Sequence, residues 1–331
     1  MDAKITKKRI AQMLSYDWVK IVAVIVGVIL FWSLIFQMTA TRITPAQQFH
    51  IYNYYCNESL GDGFYNVYED VAENGDLSYE VMEMNVTDLS RSEGQHFTLL
   101  DGAVETDDGD LIFIPNVGDA NYKTETDDGA VSYEYTYVES FVKRYFPYLY
   151  NLDLNDEDGY FKNLERYLNE FYAEGWENKE SLNEEKVKSE FKKRIERTKD
   201  KRFKKDAEIE RAATWEVDRI KKYRDALEEF YGYYEDGVVS FTEVALENDG
   251  TVYASGVFGL NICPDVSKTG ELKKQVSYLD ENQTSTAKDM NVLFFDFDAT
   301  EDSFEYESLL FVNQVIAKAV QDTAKKAANP Q

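Results

Sequence analysis

The uncharged run at residues 21–41, IVAVIVGVILFWSLIFQMTAT, constrains this chain more than any other stretch. At the helical rise it extends about 31 Å, the thickness of a bilayer's hydrocarbon core. KITKKR and Lys20 precede it, so the chain carries net +3 before residue 21 and net −29 after it. Short basic flanks stay on the cytoplasmic side. Residues 1–20 therefore read as a cytoplasmic tail and 21–41 as a single-pass transmembrane signal anchor, with the remainder outside the cell membrane. Trp18 suits the inner interface, and Gln37 and Arg42 mark the outer end. A cleaved export signal and a buried soluble helix are the alternatives. The length of the run favours an uncleaved anchor, as does the lack of any small-x-small site better than MTATR. The lipid bilayer is the first expected partner.

Beyond the anchor the composition excludes several function classes. Acidic residues outnumber basic ones 62 to 36, which argues against a nucleic-acid partner and against contact with anionic lipid heads. The basic cluster KKRIERTKDKRFKK (192–205) is interleaved with acids and reads as a solvated helix face. There are two histidines, His50 and His96, and neither has a helpful neighbour in sequence, so imidazole catalysis is not expected. No GxxxxGK[ST], HExxH or GxSxG occurs. Carboxylate pairs such as Asp296, Asp298 and Glu301 abound by composition alone, and we expect no enzyme, no cofactor and no metal. The acidic loop DLNDEDG (153–159) misses the calcium-loop pattern, because Gly159 and Glu165 each fall one place late. Cys56 and Cys263 share the outer side, where either a disulfide between them or two free thiols is chemically open.

The pattern along the chain is mixed. Residues 42–48 form a short stalk. Residues 49–55 alternate as a strand, Phe64, Val67, Tyr68 and Val71 fall at helical spacing, and 79–86 reads as a second strand; such a unit implies a parallel sheet covered by helices. HFTLLDGAV (96–104) is a short helix or an irregular apolar segment, and LIFIP (111–115) is a buried strand. Helical patterns follow at 138–149, 160–172, 181–206 and 207–231. Strands return at 238–246 and 251–262, where Gly256 and Gly259 suggest a bend or a close backbone approach. A short helix at 272–278, a strand at 290–297 and a C-terminal helix complete the chain. The fold class is α/β, divided into the first part of an α/β lobe (49–135), a mainly helical lobe (136–236) and a strand-rich return with the terminal helix (237–331).

This order resembles the extracellular solute-binding proteins of ABC transporters, the sugar-binding group in particular. The resemblance is carried by FHIYNYY, YEVMEMNVTDL, GDLIFIP, YASGVFGLNI and NVLFFDF across residues 47–320. It implies a two-lobed, periplasmic-binding-protein-like body with a small solute held between the lobes. Asn53, Asn116, Trp176, Trp215 and Tyr253 are the implied ligand-binding residues, since aromatic faces stack on sugar rings and amides bond their hydroxyls. A helix anchor in place of a lipidated cysteine, and a shorter chain, depart from that group. The expected function is capture or sensing of a small solute, such as a sugar, for a membrane transporter. The alternative is a non-catalytic accessory subunit of a transporter or envelope complex that has lost ligand binding.

Overall fold

The computed structural model describes residues 7–39, 47–55, 77–89, 96–125, 129–198, 200, 202–248, 251–297 and 306–329. The chain divides into two units, Met1–Arg42 and Ile43–Gln331. In the first, helix α1 (Lys7–Thr39) contains the stretch Trp18–Phe36, with mean hydropathy 2.7. Those 19 residues rise about 28 Å, so α1 is long and apolar enough to cross a membrane. Most of its side chains there are exposed, Phe36 and Val24 most of all.

In the second unit the elements run β1 (Gln48–Asn53), β2 (Glu83–Asp88), α2 (His96–Glu105), β3 (Leu111–Pro115), the hairpin β4 (Lys123–Glu125) and β5 (Val131–Tyr133), and α3 (Tyr137–Tyr145). Helices α4 (Tyr160–Asn169), α5 (Glu184–Thr198) and α6 (Asp206–Glu235) follow. Then come β6 (Ser240–Asn248), β7 (Thr251–Asn261), the short α7 (Val266–Thr269), the two-residue strands β8 (Tyr278–Leu279) and β9 (Ser285–Thr286), β10 (Met290–Phe294) and α8 (Glu307–Ala328). One mixed sheet has the order β2-β1-β3-β10-β7-β6. Strands β1, β2 and β3 are parallel, and β10 runs antiparallel to both β3 and β7.

The apolar run LIFIP explains how this sheet is covered. Successive side chains alternate between faces, and all five residues are buried. Leu111 and Phe113 enter one core, with Phe49, Ile51, Val292 and Phe294 from neighbouring strands and Phe161, Phe230, Phe311 and Val315 from helices α4, α6 and α8. Ile112 and Ile114 enter the other, with Tyr52, Tyr54, Leu293, Leu100 of α2 and Phe141 of α3. Each fully buried large side chain contributes about 1.5–3 kcal/mol, and both faces of the sheet draw on that term. A third, smaller cluster joins α5 to α6 through Phe191, Ile195, Ala212 and Ala213.

Local chemistry sets the boundaries. Thr136 and Glu139 form a reciprocal capping box that starts α3. The second strand begins at Glu83, four residues later than the alternation at 79–86 implies, because Val81 N donates back to Ser78 O in a turn. Gly259 is a close approach: a Cβ there would lie 2.6 Å from Asn291 Oδ1, beside the register shift between Thr242 and Glu243. The expected crossover helix around Phe64–Val71 lies outside the described residues, as does Cys56. The returning strands β6, β7 and β10 enlarge the sheet begun by β1–β3, and among the described residues the other sheets are two-stranded hairpins. Strands from 49–135 and 237–331 thus share one sheet, and helices α4 and α6 of 136–236 pack into the principal core on one of its faces.

Candidate functional site

The connection from β1 to β2 moves the chain to one side, and the next connection carries it across to β3 on the other. In open α/β sheets the crevice beyond the carboxyl ends of two such strands is the place where ligands bind. Here the strands are β1 and β3, and Asn53 is the last residue of β1. Phe49 and Ile51 face the principal core, so alternation puts Asn53 on that same face.

Asn53 is fully buried, and among the described residues neither its Nδ2 nor its Oδ1 has a hydrogen-bond partner. Its carbonyl is satisfied, since Asn53 O accepts from Leu89 N at 2.9 Å, and the next amide, Tyr54 N, donates to Phe113 O at 2.9 Å. The unmet groups lie on the side chain, at a cost of about 1–3 kcal/mol for a buried polar group without a partner. Two residues on, Tyr55 has φ +53°, a left-handed conformation that is rare for a bulky side chain and costs on the order of 1–3 kcal/mol. Its ring holds that conformation by stacking on Tyr137 at 4.3 Å and meeting Tyr54 edge-on at 4.7 Å. An unpaired amide and a strained backbone thus lie within three residues at the sheet's switch point.

Asn116 follows β3 at the same end of the sheet, its N donating to Asp289 O at 2.8 Å. Asn53 is in register with Phe113, so Asn116 sits about 10 Å further along. The three aromatic candidates lie elsewhere. Trp176 is 8 % exposed in the principal core and stacks on Tyr231, while its backbone binds Asn169 Oδ1 and Arg224 Nε. Trp215 is 39 % exposed on α6, between Arg211 and Tyr79. Tyr253 is 45 % exposed on β7. Among the described residues no hydrogen bond or ring contact joins any two of the five. Cys263 is buried as a free thiol, 3.7 Å from Thr269 O.

The fold also supplies partners that the local sequence does not reveal. His50 Nδ1 lies 3.1 Å from Asp108 Oδ1 and Nε2 lies 2.7 Å from Thr87 Oγ1, with the ring stacked on Tyr52 at 4.4 Å. The order hydroxyl, imidazole, carboxylate is that of a hydrolase triad, but Thr87 is a β-branched residue within β2, in register with Tyr52. The array fastens edge strand β2 to β1 and to the turn before β3. Asp110 Oδ2 accepts from His50 N at 2.7 Å. Burial raises the Asp110 carboxyl to about 8; the His50 hydrogen bond opposes this and nearby Asp108 and Glu307 add to it, so Asp110 is protonated at neutral pH.

A buried ionic network lies among residues 77–80, α5, α6 and α8. Arg219 stands between Glu216 and Glu307 at 3.3 and 3.4 Å, and Arg194 joins Glu80 and Glu216 at 2.9 and 3.2 Å. Burial pushes Glu216 up, but Arg219 and Arg194 outweigh it and hold it below the usual carboxylate value. At Glu307 burial prevails over Arg219 and the carboxyl is raised. These pairs lock the helical layer together. In the acidic loop, Asp153 Oδ1 and Asp156 Oδ1 accept the backbone amides of Asn155 and Asp158 as side-chain turns.

No protein-family model matches the chain, and no curated protein or solved structure matches it either.

Proposed function

We propose that the protein is a membrane-tethered solute-binding protein that captures or senses a small polar solute at the carboxyl ends of β1 and β3, on behalf of a membrane transporter. The observation that carries this reading is Asn53, whose donor and acceptor are both buried and unpaired where open α/β sheets take their ligands. Two adjacent unmet groups, one N–H donor and one carbonyl acceptor, suit a ligand that presents hydroxyls, and a sugar is such a ligand. The resemblance to solute-binding proteins belongs to the same proposal, with Asn116 as a second amide at the rim. Helix α1 would hold the protein in the cell membrane with its amino terminus inside and Ile43–Gln331 outside, so the solute is taken at the surface by a receptor that does not diffuse.

A thermal-shift screen tests this on the full-length protein in detergent, using monosaccharides, disaccharides, polyols and amino acids. The expected result is a rise in the unfolding midpoint with one chemical class, growing with ligand concentration as linkage requires. A flat response across the panel would overturn the reading in favour of an accessory subunit that has lost ligand binding.

A further inference from the structure

Tyrosines crowd a surface built by the β4–β5 hairpin, α3 and β7. The hairpin pairs Lys123 with Tyr133, and a bridge from Gly118 to Thr136 closes its base. The ring of Tyr133 lies directly on Gly118, where a Cβ would overlap it, so only glycine permits this placement. Tyr122, Tyr133 and Tyr253 are 38 %, 38 % and 45 % exposed. Tyr122 meets Tyr135 edge-on at 5.0 Å.

Lys143 of α3 is set among these rings. Its Nζ donates to Tyr135 Oη at 3.1 Å and stands 4.5 Å from the centre of that ring. The Tyr135 hydrogen bond, with Tyr253 and Tyr122 adding to it, holds the ammonium above the usual lysine value. Among the described residues Lys143 forms no ion pair with a carboxylate, in a protein of net charge −26. Flat aromatic faces rimmed by hydroxyls suit the C–H faces and hydroxyls of pyranose rings. An exposed ammonium that pairs with no carboxylate among the described residues complements an anionic substituent on such a ring.

We propose that this surface binds an acidic polysaccharide, with pyranose rings on the faces of Tyr122 and Tyr253 and a sugar carboxylate on Lys143. The site is separate from Asn53 and does not depend on it. A polymer held here would keep the tethered protein close to carbohydrate outside the membrane.

The test is titration calorimetry of the full-length protein in nanodiscs with a galacturonate hexamer. Binding by the wild type should weaken about tenfold in Tyr253→Ala and about tenfold in Lys143→Gln. Maltohexaose, which lacks the carboxylates, should bind about tenfold more weakly than the galacturonate. Asn53→Leu should leave galacturonate binding unchanged, which separates this proposal from the solute site. The proposal is overturned if the hexamer does not bind the wild type, if both surface variants bind it equally well, or if polyglutamate of matched charge binds as tightly.

Discussion

Replacing Asn53 by Leu swaps two buried, unpaired polar atoms for two methyl groups on the same branched frame. The amide costs about 1–3 kcal/mol where it stands, because it gives up water without gaining a partner. Leu removes that penalty and adds apolar burial beside Phe49, Ile51 and Phe113. Its larger methyls take back part of the gain through tighter packing, and we expect a net stabilisation of about 1–2 kcal/mol. With a urea slope of roughly 3 kcal/mol/M for a unit of this size, the midpoint should rise by about 0.5 M. Urea titrations of the detergent-solubilised protein, followed by far-UV circular dichroism, read this directly. Asn53→Asp is the control: a carboxylate at the same buried position should lower the midpoint. A loss of more than about 1 kcal/mol in Asn53→Leu would refute the reasoning, since it would mean that the amide makes bonds that hold the fold. Stabilisation together with lost binding is the expected signature of a residue kept for function.

Other consequences concern the groups around the sheet. Asp110 is raised from its unfolded value to about 8, so the native state retains a proton that the unfolded chain releases. Its contribution is fully present below about pH 4 and is lost as pH rises through about 8, on the order of a few kcal/mol. The Asp110→Asn variant should flatten that decline, and parallel urea-midpoint profiles of variant and wild type between pH 5 and 8 would contradict the assignment. Arg219→Met leaves Glu216 and Glu307 buried without their shared cation; it should cost about 3–5 kcal/mol, measurable by the same denaturation. Trp176→Ala should cost about 3–5 kcal/mol, because the ring is packed in the principal core. Trp215→Ala should cost less than about 1 kcal/mol from its half-exposed position on α6. Equal losses for the two tryptophans would overturn this distinction.

Much of the architecture was legible because period and punctuation report it. LIFIP reads as a buried strand and is β3, the helical pattern that begins at 138 is α3, and the terminal apolar stripe is α8. The segment at 96–104, open between helix and irregular chain, is helix α2. The strand near 79–86 is displaced because the turn at Ser78–Val81 is set by a single backbone hydrogen bond, which leaves no trace in alternation. Whether a returning strand joins an existing sheet or founds another depends on long-range pairing. The run at 290–297 looks the same in either case, and here β10 pairs with β3.

The candidate site was legible in part. Asn53 and Asn116 are implied by the resemblance to solute-binding proteins, and the structure puts both at one end of the sheet. The three aromatic residues share a chemistry without sharing a place, since the spacing of Trp176, Trp215 and Tyr253 carries no information about the face each occupies. His50 looked isolated because Thr87 and Asp108 are 37 and 58 residues away in the chain. Its context FHIYNYY marks a strand, but only the parallel register with β2 and the turn before β3 bring the partners in. The unmet bonds of Asn53 are likewise a property of its surroundings and appear nowhere in the sequence itself.

The central claim is that a small solute binds at the carboxyl ends of β1 and β3 through Asn53. Titration calorimetry of the full-length protein with the solute class that stabilises it, run in parallel on wild type and Asn53→Leu, tests this most directly. The account predicts saturable binding by the wild type and a loss of at least about tenfold in the variant, because a buried hydrogen-bonding pair has been removed. Equal affinity in the two proteins would contradict it.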